Sequence, residues 1–383
     1  MARGSDRIHS MDALRASSML LLVPAHASGL IAVNGDPSAI LTGIVWVIHV
    51  FRLPLFFAMS GYFLALMNRR RGLRGTLRNR SLRILVPLAV GLVTLVPMLM
   101  ALSETTGVWI TADGPAQSLF GLAPSYLWFL WYLLVIDASA ILMLRFTPGI
   151  ATRIRDLLAR AIGRPLGIAL LTVPAAALLL GQSDWMPTAP TDTFGIEPAM
   201  LAYYAMFFAF GTALFAAPKK VQALSAATGR WALAALASGL VALALFTLHN
   251  RSGAGTAVHA IQLVAFGIAT WTSLHALLGL ANRHLSAERP AIRYVADSSY
   301  WIYLAHLQIL VPLLAVILAI GVQPGLAFVL LTATTLLLTF LLYATFVRYT
   351  VVGGTLNGPR ERQPKKRPPS PASMLGASAN ITR

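Results

Sequence analysis

The chain has 383 residues, of which 57% are hydrophobic and only 11% charged, with a mean hydropathy of +0.71; a soluble domain carries about 25% charged residues. This excludes a soluble globular or disordered chain and predicts an all-α polytopic membrane protein. There is no cysteine, which excludes disulfides, thiolate metal sites and a cysteinyl acyl carrier. The net charge of +17 would suit a nucleic-acid binder, but its distribution argues against one, as the chain order shows.

Ten apolar segments of roughly spanning length fall at 11–33, 40–67, 83–103, 122–146, 166–181, 199–217, 231–248, 257–280, 299–320 and 323–348. Arg3 and Arg7 before the first run imitate a signal peptide. Further spans follow and no small-residue cleavage signal does, so a retained first span is expected. Alternate connections (68–82, 147–165, 218–230, 281–298) and both ends are rich in Lys and Arg. Of 30 basic residues only Arg251 lies in a loop on the other side, while Asp36, Glu104, Asp113, Asp184, Asp192 and Glu197 lie there. By the positive-inside rule both termini are expected in the cytoplasm, and the basic charge is a topology signal. Residues 1–350 read as one transmembrane domain. Residues 351–383 read as a basic cytoplasmic tail without fixed structure, able to touch anionic lipid.

The first span carries Asp12, Arg15 and His26. On a helix the eleven residues from Arg15 to His26 make about three turns, which puts both on one face about 16 Å apart, with Asp12 beside Arg15. Ionisable groups at this depth are costly in lipid and mark a site facing the protein interior. The second span reads His49-Val-Phe-Arg52-Leu-Pro54, then Ser60-Gly61-Tyr62. Pro54 is expected to kink the helix and free carbonyls near His49 and Val50. Ser60-Gly61 permits close helix approach. The connection that follows offers Arg69, Arg70, Arg71, Arg74, Arg78, Arg80 and Arg83, either as ordinary positive-inside dressing or as forks for phosphate. No Gly-rich Walker-type loop is present, which argues against nucleotide hydrolysis.

The pattern Asp12-x-x-Arg15-x10-His26, followed by Phe51-Arg52-x-Pro54-x-Phe-Phe-x-x-Ser60-Gly61-Tyr62, resembles the acyltransferase-3 family of integral membrane acyltransferases. So do Arg80-x-x-Arg83, the Leu127-Trp128-Phe129-Leu130 run and Tyr303-x-x-His306. The matches fall in spans one to four and nine; spans five to eight carry little of the likeness. Within the family the His49-to-Arg52 run and the Leu-Trp-Phe element look most like the branch that succinylates periplasmic glucans. The resemblance implies about ten spans in a bacterial inner membrane. It implies acyl transfer from cytoplasmic acyl-CoA, with succinyl-CoA favoured, to a hydroxyl of a periplasmic glucan. The donor is a substrate; no permanently bound cofactor and no metal are implied. An O-acetyltransferase for another envelope glycan, and a transporter or flippase of a glycan or lipid, stay open beside it. A homo-oligomer is possible.

On this reading His26 acts as general base, or as covalent acyl carrier. Arg15 stabilises an oxyanion or holds donor, Asp12 orients Arg15, and His306 assists with Tyr303. Arg74, Arg78, Arg80 and Arg83 form the acyl-CoA site. His49, Arg52, Ser60, Trp128 and Tyr303 contact substrate, with Arg52 as the cation for a succinyl carboxylate. Packing explains Trp128, Phe129 and Tyr132 as well. Asp137 is expected to pair with an arginine, Arg52 first. Asp297 reads as a local helix cap, His259 and His275 as structural, and Tyr300 and Trp301 as interfacial belt residues. In the outer loops Trp109, Asp113, Asp184, Trp185, Asp192 and Glu197 suit either sugar or interface.

Overall fold

The structure, a computed structural model, describes residues 9–35, 38–110, 124–182, 194–253 and 255–357; among these the regular elements are all helices. A backbone that crosses lipid must satisfy its own N–H and C=O groups, which long apolar segments do by coiling. In chain order the helices are α1 (His9–Leu20), α2 (Leu22–Asn34), α3 (Ala39–Arg80), α4 (Val86–Thr106), α5 (Trp128–Phe146), α6 (Pro148–Ala161) and α7 (Pro165–Leu179). They continue with α8 (Pro198–Ala216), α9 (Pro218–Ala223), α10 (Thr228–Ser252), α11 (Thr256–His284), α12 (Pro290–Ala319), α13 (Pro324–Leu342) and α14 (Val351–Asn357).

Among the described residues eight helical stretches are long and apolar enough to cross a membrane. They differ from the ten expected segments in two places. The second and third segments run as one 68-residue stretch, Ala39–Thr106. The fifth is α7, whose 15 residues reach about 22 Å, less than the ~30 Å hydrocarbon core. The long stretch is not straight. Gly72 sits at φ 64°, ψ −177°, a conformation that favours glycine. Twenty residues of straight helix would separate Ser60 from Arg80 by about 30 Å, yet Arg80 Nη2 donates to the Ser60 carbonyl at 2.8 Å. The chain therefore folds back at Gly72 and returns the arginine-rich segment to the bundle.

The first span is interrupted near Leu21 because Pro24 has no N–H for the Leu20 carbonyl. Helical bonding resumes on either side, from Leu21 N–H to Ser17 O (3.2 Å) and from Ala25 N–H to Leu21 O (3.3 Å). The helix α3 crosses α8 at very short range. A Cβ at Gly61 would overlap the Phe208 carbonyl oxygen, and one at Gly211 the Ala58 carbonyl. The packing expected of Ser60-Gly61 is thus carried by Gly61 with an unforeseen partner, Gly211. Gly61→Leu should force these backbones apart. The expected result is loss of monodisperse protein in detergent size-exclusion chromatography, with Gly43→Leu, where a Cβ meets open space, behaving as wild type.

Contacts gather the basic connections at one end of the bundle. Arg69 lies over Phe215, 5.8 Å from the ring centroid, and Arg348 over Tyr294 at 5.1 Å. Lys220 Nζ donates to Ala159 O (2.7 Å) and Asn282 to Val221 O (3.1 Å). Tyr300 Oη donates to Arg83 O at 2.5 Å. At the opposite end Asn34 and Trp109 exchange two hydrogen bonds of 2.7 Å, tying α2 to the segment after α4. Asp36, Asp113, Asp184, Trp185, Asp192 and the tail from 358 onward lie outside the described residues. The first residues past 350 are helical, as α14, and Leu356 is buried there.

One polar reading changes. Asp297 is no cap: Arg289 occupies the N-cap of α12 and Asp297 is 3% exposed well inside the helix. His275 is structural as expected, with Nδ1 donating to Trp271 O at 2.7 Å.

Candidate active site

A cavity of about 590 Å³ opens among α1, α2, α3, α5 and α12. Asp12, Arg15, Met19, Leu22 and His26 all line it. Their spacing of three and four is one helix face, so the stripe survives the break at Leu21. Arg70, Asn79 and Arg83 line the basic end, and Leu356 of α14 borders it. His26 lies deeper, with Trp128 and Tyr303 on the same walls. Five arginines (15, 52, 70, 80 and 83) face this space, and Asp12 is the acidic residue among its lining. Such an excess of guanidinium in a half-enclosed, largely apolar chamber suits a polyanionic ligand.

His26 meets His306 of α12 with ring centroids 4.9 Å apart and planes tilted by 54°. This is a ring contact and not a hydrogen bond. Nδ1 of His306 donates to the Tyr303 carbonyl at 2.8 Å. A carbonyl only accepts, so Nε2 carries the lone pair, and that atom is buried without a hydrogen-bond partner among the described residues. His26 itself is only partly buried and faces the cavity. The pair therefore presents one accessible imidazole backed by a fixed acceptor.

Tyr303 donates to Tyr126 O (3.1 Å), while Tyr126 Oη donates to Leu304 O (2.8 Å) and accepts from Gln308 Nε2 (2.8 Å). This buried lattice holds the His306 turn of α12 against the start of α5. Tyr126 and Gln308 did not stand out in the sequence, although a lone amide two residues after His306 in an apolar span is a usable signal. Tyr126→Phe removes the hydroxyl of two of these bonds and leaves the Leu304 carbonyl and the Gln308 amide short of a partner. It should cost about 1–3 kcal/mol, read as a lower thermal midpoint in detergent, with turnover falling in step as His306 loosens.

Arg52 is 3% exposed, and its Nε and Nη1 have no hydrogen-bond partner among the described residues. The expected Asp137 partner goes elsewhere. Asp137, 1% exposed on α5, lies 3.4 Å from Arg80 Nε. Arg80 also donates from Nη1 to Ser60 Oγ (3.2 Å) and from Nη2 to Ser60 O (2.8 Å). The fold-back at Gly72 puts Arg80, not Arg52, within reach of Asp137. Arg15 donates to Asp12 Oδ1 at 3.2 Å and lies 6.0 Å from the Phe63 ring centroid.

Not every candidate gathers here. Arg74 and Arg78 are exposed and outside the lining, while Arg70 and Asn79 take their place. His49 is also outside it; its Nδ1 donates to Val45 O at 2.8 Å. Tyr300 is a cavity wall and not a belt residue. Trp128 and Phe129 line the space, whereas Tyr132 accepts from the Glu197 amide at 3.0 Å. Among the described residues no group of three or more His, Asp or Glu is placed to hold a metal.

A family model described as an acyltransferase domain matches residues 8–344. Relatives named glucans biosynthesis protein C, from Salmonella paratyphi B, Salmonella dublin and Salmonella enteritidis, are 26% identical over 326 residues. The match covers 78% of this chain and 81% of each relative. No solved structure matches.

Proposed function

This chain belongs to the acyltransferase-3 family, and on that premise we propose that it carries a succinyl group from cytoplasmic succinyl-CoA to a hydroxyl of a periplasmic glucan. The observation that supports this most is one continuous cavity with arginines at its basic end and His26 in its depth. With the basic end cytoplasmic, and both termini with it, the chain is a multi-pass protein of the bacterial inner membrane. Arg70 and Arg83 hold the anionic nucleotide end of the donor at the mouth. The pantetheine arm passes Arg15 and Met19 toward His26. The name of the relatives, glucans biosynthesis protein C, favours a glucan acceptor.

At His26 the imidazole takes the proton of the sugar hydroxyl as its oxygen attacks the thioester carbonyl carbon. The carbon–sulfur bond breaks, and the leaving thiolate takes that proton back from the imidazolium. The His306 Nε2 lone pair, fixed by the Tyr303 carbonyl, favours the imidazolium form as it appears. Arg15 faces the same chamber and counters the charge of the oxyanion. In the covalent variant a His26 ring nitrogen attacks the thioester carbon, the carbon–sulfur bond breaks and the thiolate takes the proton of the other ring nitrogen. The glucan hydroxyl then attacks the acyl carbon, the carbon–nitrogen bond breaks and the released imidazole takes the hydroxyl proton.

Arg52 favours succinyl over acetyl. A buried guanidinium with two unpartnered nitrogens is costly, and a carboxylate at the distal end of the acyl group relieves that cost. Arg52→Gln should lower kcat/KM for succinyl-CoA by ~10–100-fold, the value of one charged hydrogen bond or two. Acetyl-CoA turnover should change by less than about threefold. Equal losses with both donors would remove the carboxylate reading. The function as a whole is tested by incubating purified protein with labelled succinyl-CoA and a glucan oligosaccharide. Succinylated glucan by mass spectrometry is expected; glucan unmodified while donor stays intact refutes it.

A further inference from the structure

A second cavity, of about 700 Å³, lies behind the first and belongs to none of the chemistry above. The basic-end half of α3 divides the two. Ser60, Phe63, Met67 and Arg70 face the first, while Leu64, Ala65, Asn68 and Arg69 face the second. The second is walled by Ile136, Ala140 and Met143 of α5 and by Ala205, Phe208 and Phe215 of α8. Its polar groups collect toward one end. Arg69 sits over Phe215 there, and among the described residues it has no carboxylate partner. Arg155 of α6 faces the same space and holds Asp156 at 2.8 Å, leaving the rim with one net cation.

The helix α6 closes this end. It has no buried residue, and it mixes exposed Ile150, Ile154 and Leu157 with Arg153, Arg155 and Arg160. That pattern is a helix lying in the plane of a membrane surface. The cavity thus opens among apolar spans and ends under an interfacial helix, with a guanidinium at headgroup depth. We propose that it is a binding site for an anionic diacyl phospholipid of the leaflet at the basic end. The acyl chains fill the apolar space between α5 and α8, and the phosphodiester meets Arg69 with Arg155 beside it. A neutral lipid would leave the Arg69 charge unanswered; a soluble phosphate ester would leave the apolar walls empty.

Native mass spectrometry of the full chain tests this, after exchange into detergent with phosphatidylglycerol or phosphatidylcholine of matched chains. Wild type should retain at least about fivefold more phosphatidylglycerol adduct than phosphatidylcholine. The double variant Arg69→Gln, Arg155→Gln should lose that preference, while Arg153→Gln, outside the lining, keeps it. Ala205→Trp fills the cavity with both arginines intact and should also lose the adduct; each variant is required to elute as wild type does. Equal retention of both lipids by wild type means bulk lipid only and overturns the proposal. So does an adduct that persists in either the double variant or Ala205→Trp. Displacement of the adduct by glycerol phosphate alone would show a headgroup pocket without a lipid and would overturn it as well.

Discussion

His26→Ala is expected to lower acyl transfer by at least ~10³-fold while the protein still folds and still binds donor. The magnitude follows from removing a positioned base, which is worth about 10²–10⁴-fold, or the covalent carrier itself, which is worth more. Folding should survive because the His26 ring is partly exposed to a cavity and touches His306 through ring contact alone. Truncation therefore strands no buried hydrogen-bonding group that was satisfied before. Donor affinity should stay within about threefold, since Arg70 and Arg83 line the opposite end of the chamber. Three measurements check this: turnover with succinyl-CoA and glucan, titration of donor, and thermal midpoint in detergent. A folded variant with wild-type turnover would end the catalytic assignment. Rapid quenching with labelled donor and no acceptor separates the two routes. Label on wild type that vanishes in His26→Ala indicates an acyl-imidazole; no label on either indicates direct transfer.

Much of this site could be read from spacing because helices turn residue intervals into faces. Asp12, Arg15 and His26 needed only a period near 3.6 to be set on one wall, and the structure lines the cavity with all three. Tyr303 and His306 were legible for the same reason. What spacing could not supply was the route of the chain between helices. The left-handed Gly72 sends the following segment back into the bundle. That single turn decides that Arg80 meets Ser60 and Asp137, that Asn79 and Arg83 reach the chamber, and that Arg74 and Arg78 stay outside. The crossing of Gly61 with Gly211 was half visible, as a small residue beside Ser60, but its partner 150 positions later carried no local mark. Tyr126 was hidden differently: it starts a span among other aromatics, and only its bonds to Leu304 and Gln308 set it apart.

The same turn leads to the second large effect. Arg80 lies in the arginine motif that the family resemblance assigns to donor binding, but its nitrogens are already engaged with Ser60 and Asp137. Its side chain is 13% exposed and that of Asp137 only 2%, so little solvent screens the pair. Arg80→Leu would leave the Asp137 carboxylate buried without its countercharge, a change that costs about 3–5 kcal/mol. The expected result is a sharply lower thermal midpoint and poor recovery. Asp137→Asn added to Arg80→Leu removes the stranded charge and should restore most of the midpoint, because a neutral amide is far cheaper to bury than an unpaired carboxylate. Turnover should remain low in the rescued protein, since α3 and α5 are no longer held in register around Ser60 and Trp128. Donor affinity distinguishes this brace from a phosphate ligand. In the double variant it should stay within about threefold of wild type, while Arg83→Gln weakens it by about tenfold or more through loss of a charge-assisted contact. If the rescued double variant instead loses donor affinity as Arg83→Gln does, Arg80 holds phosphate directly, and the fold-back at Gly72 exists to deliver it to the donor.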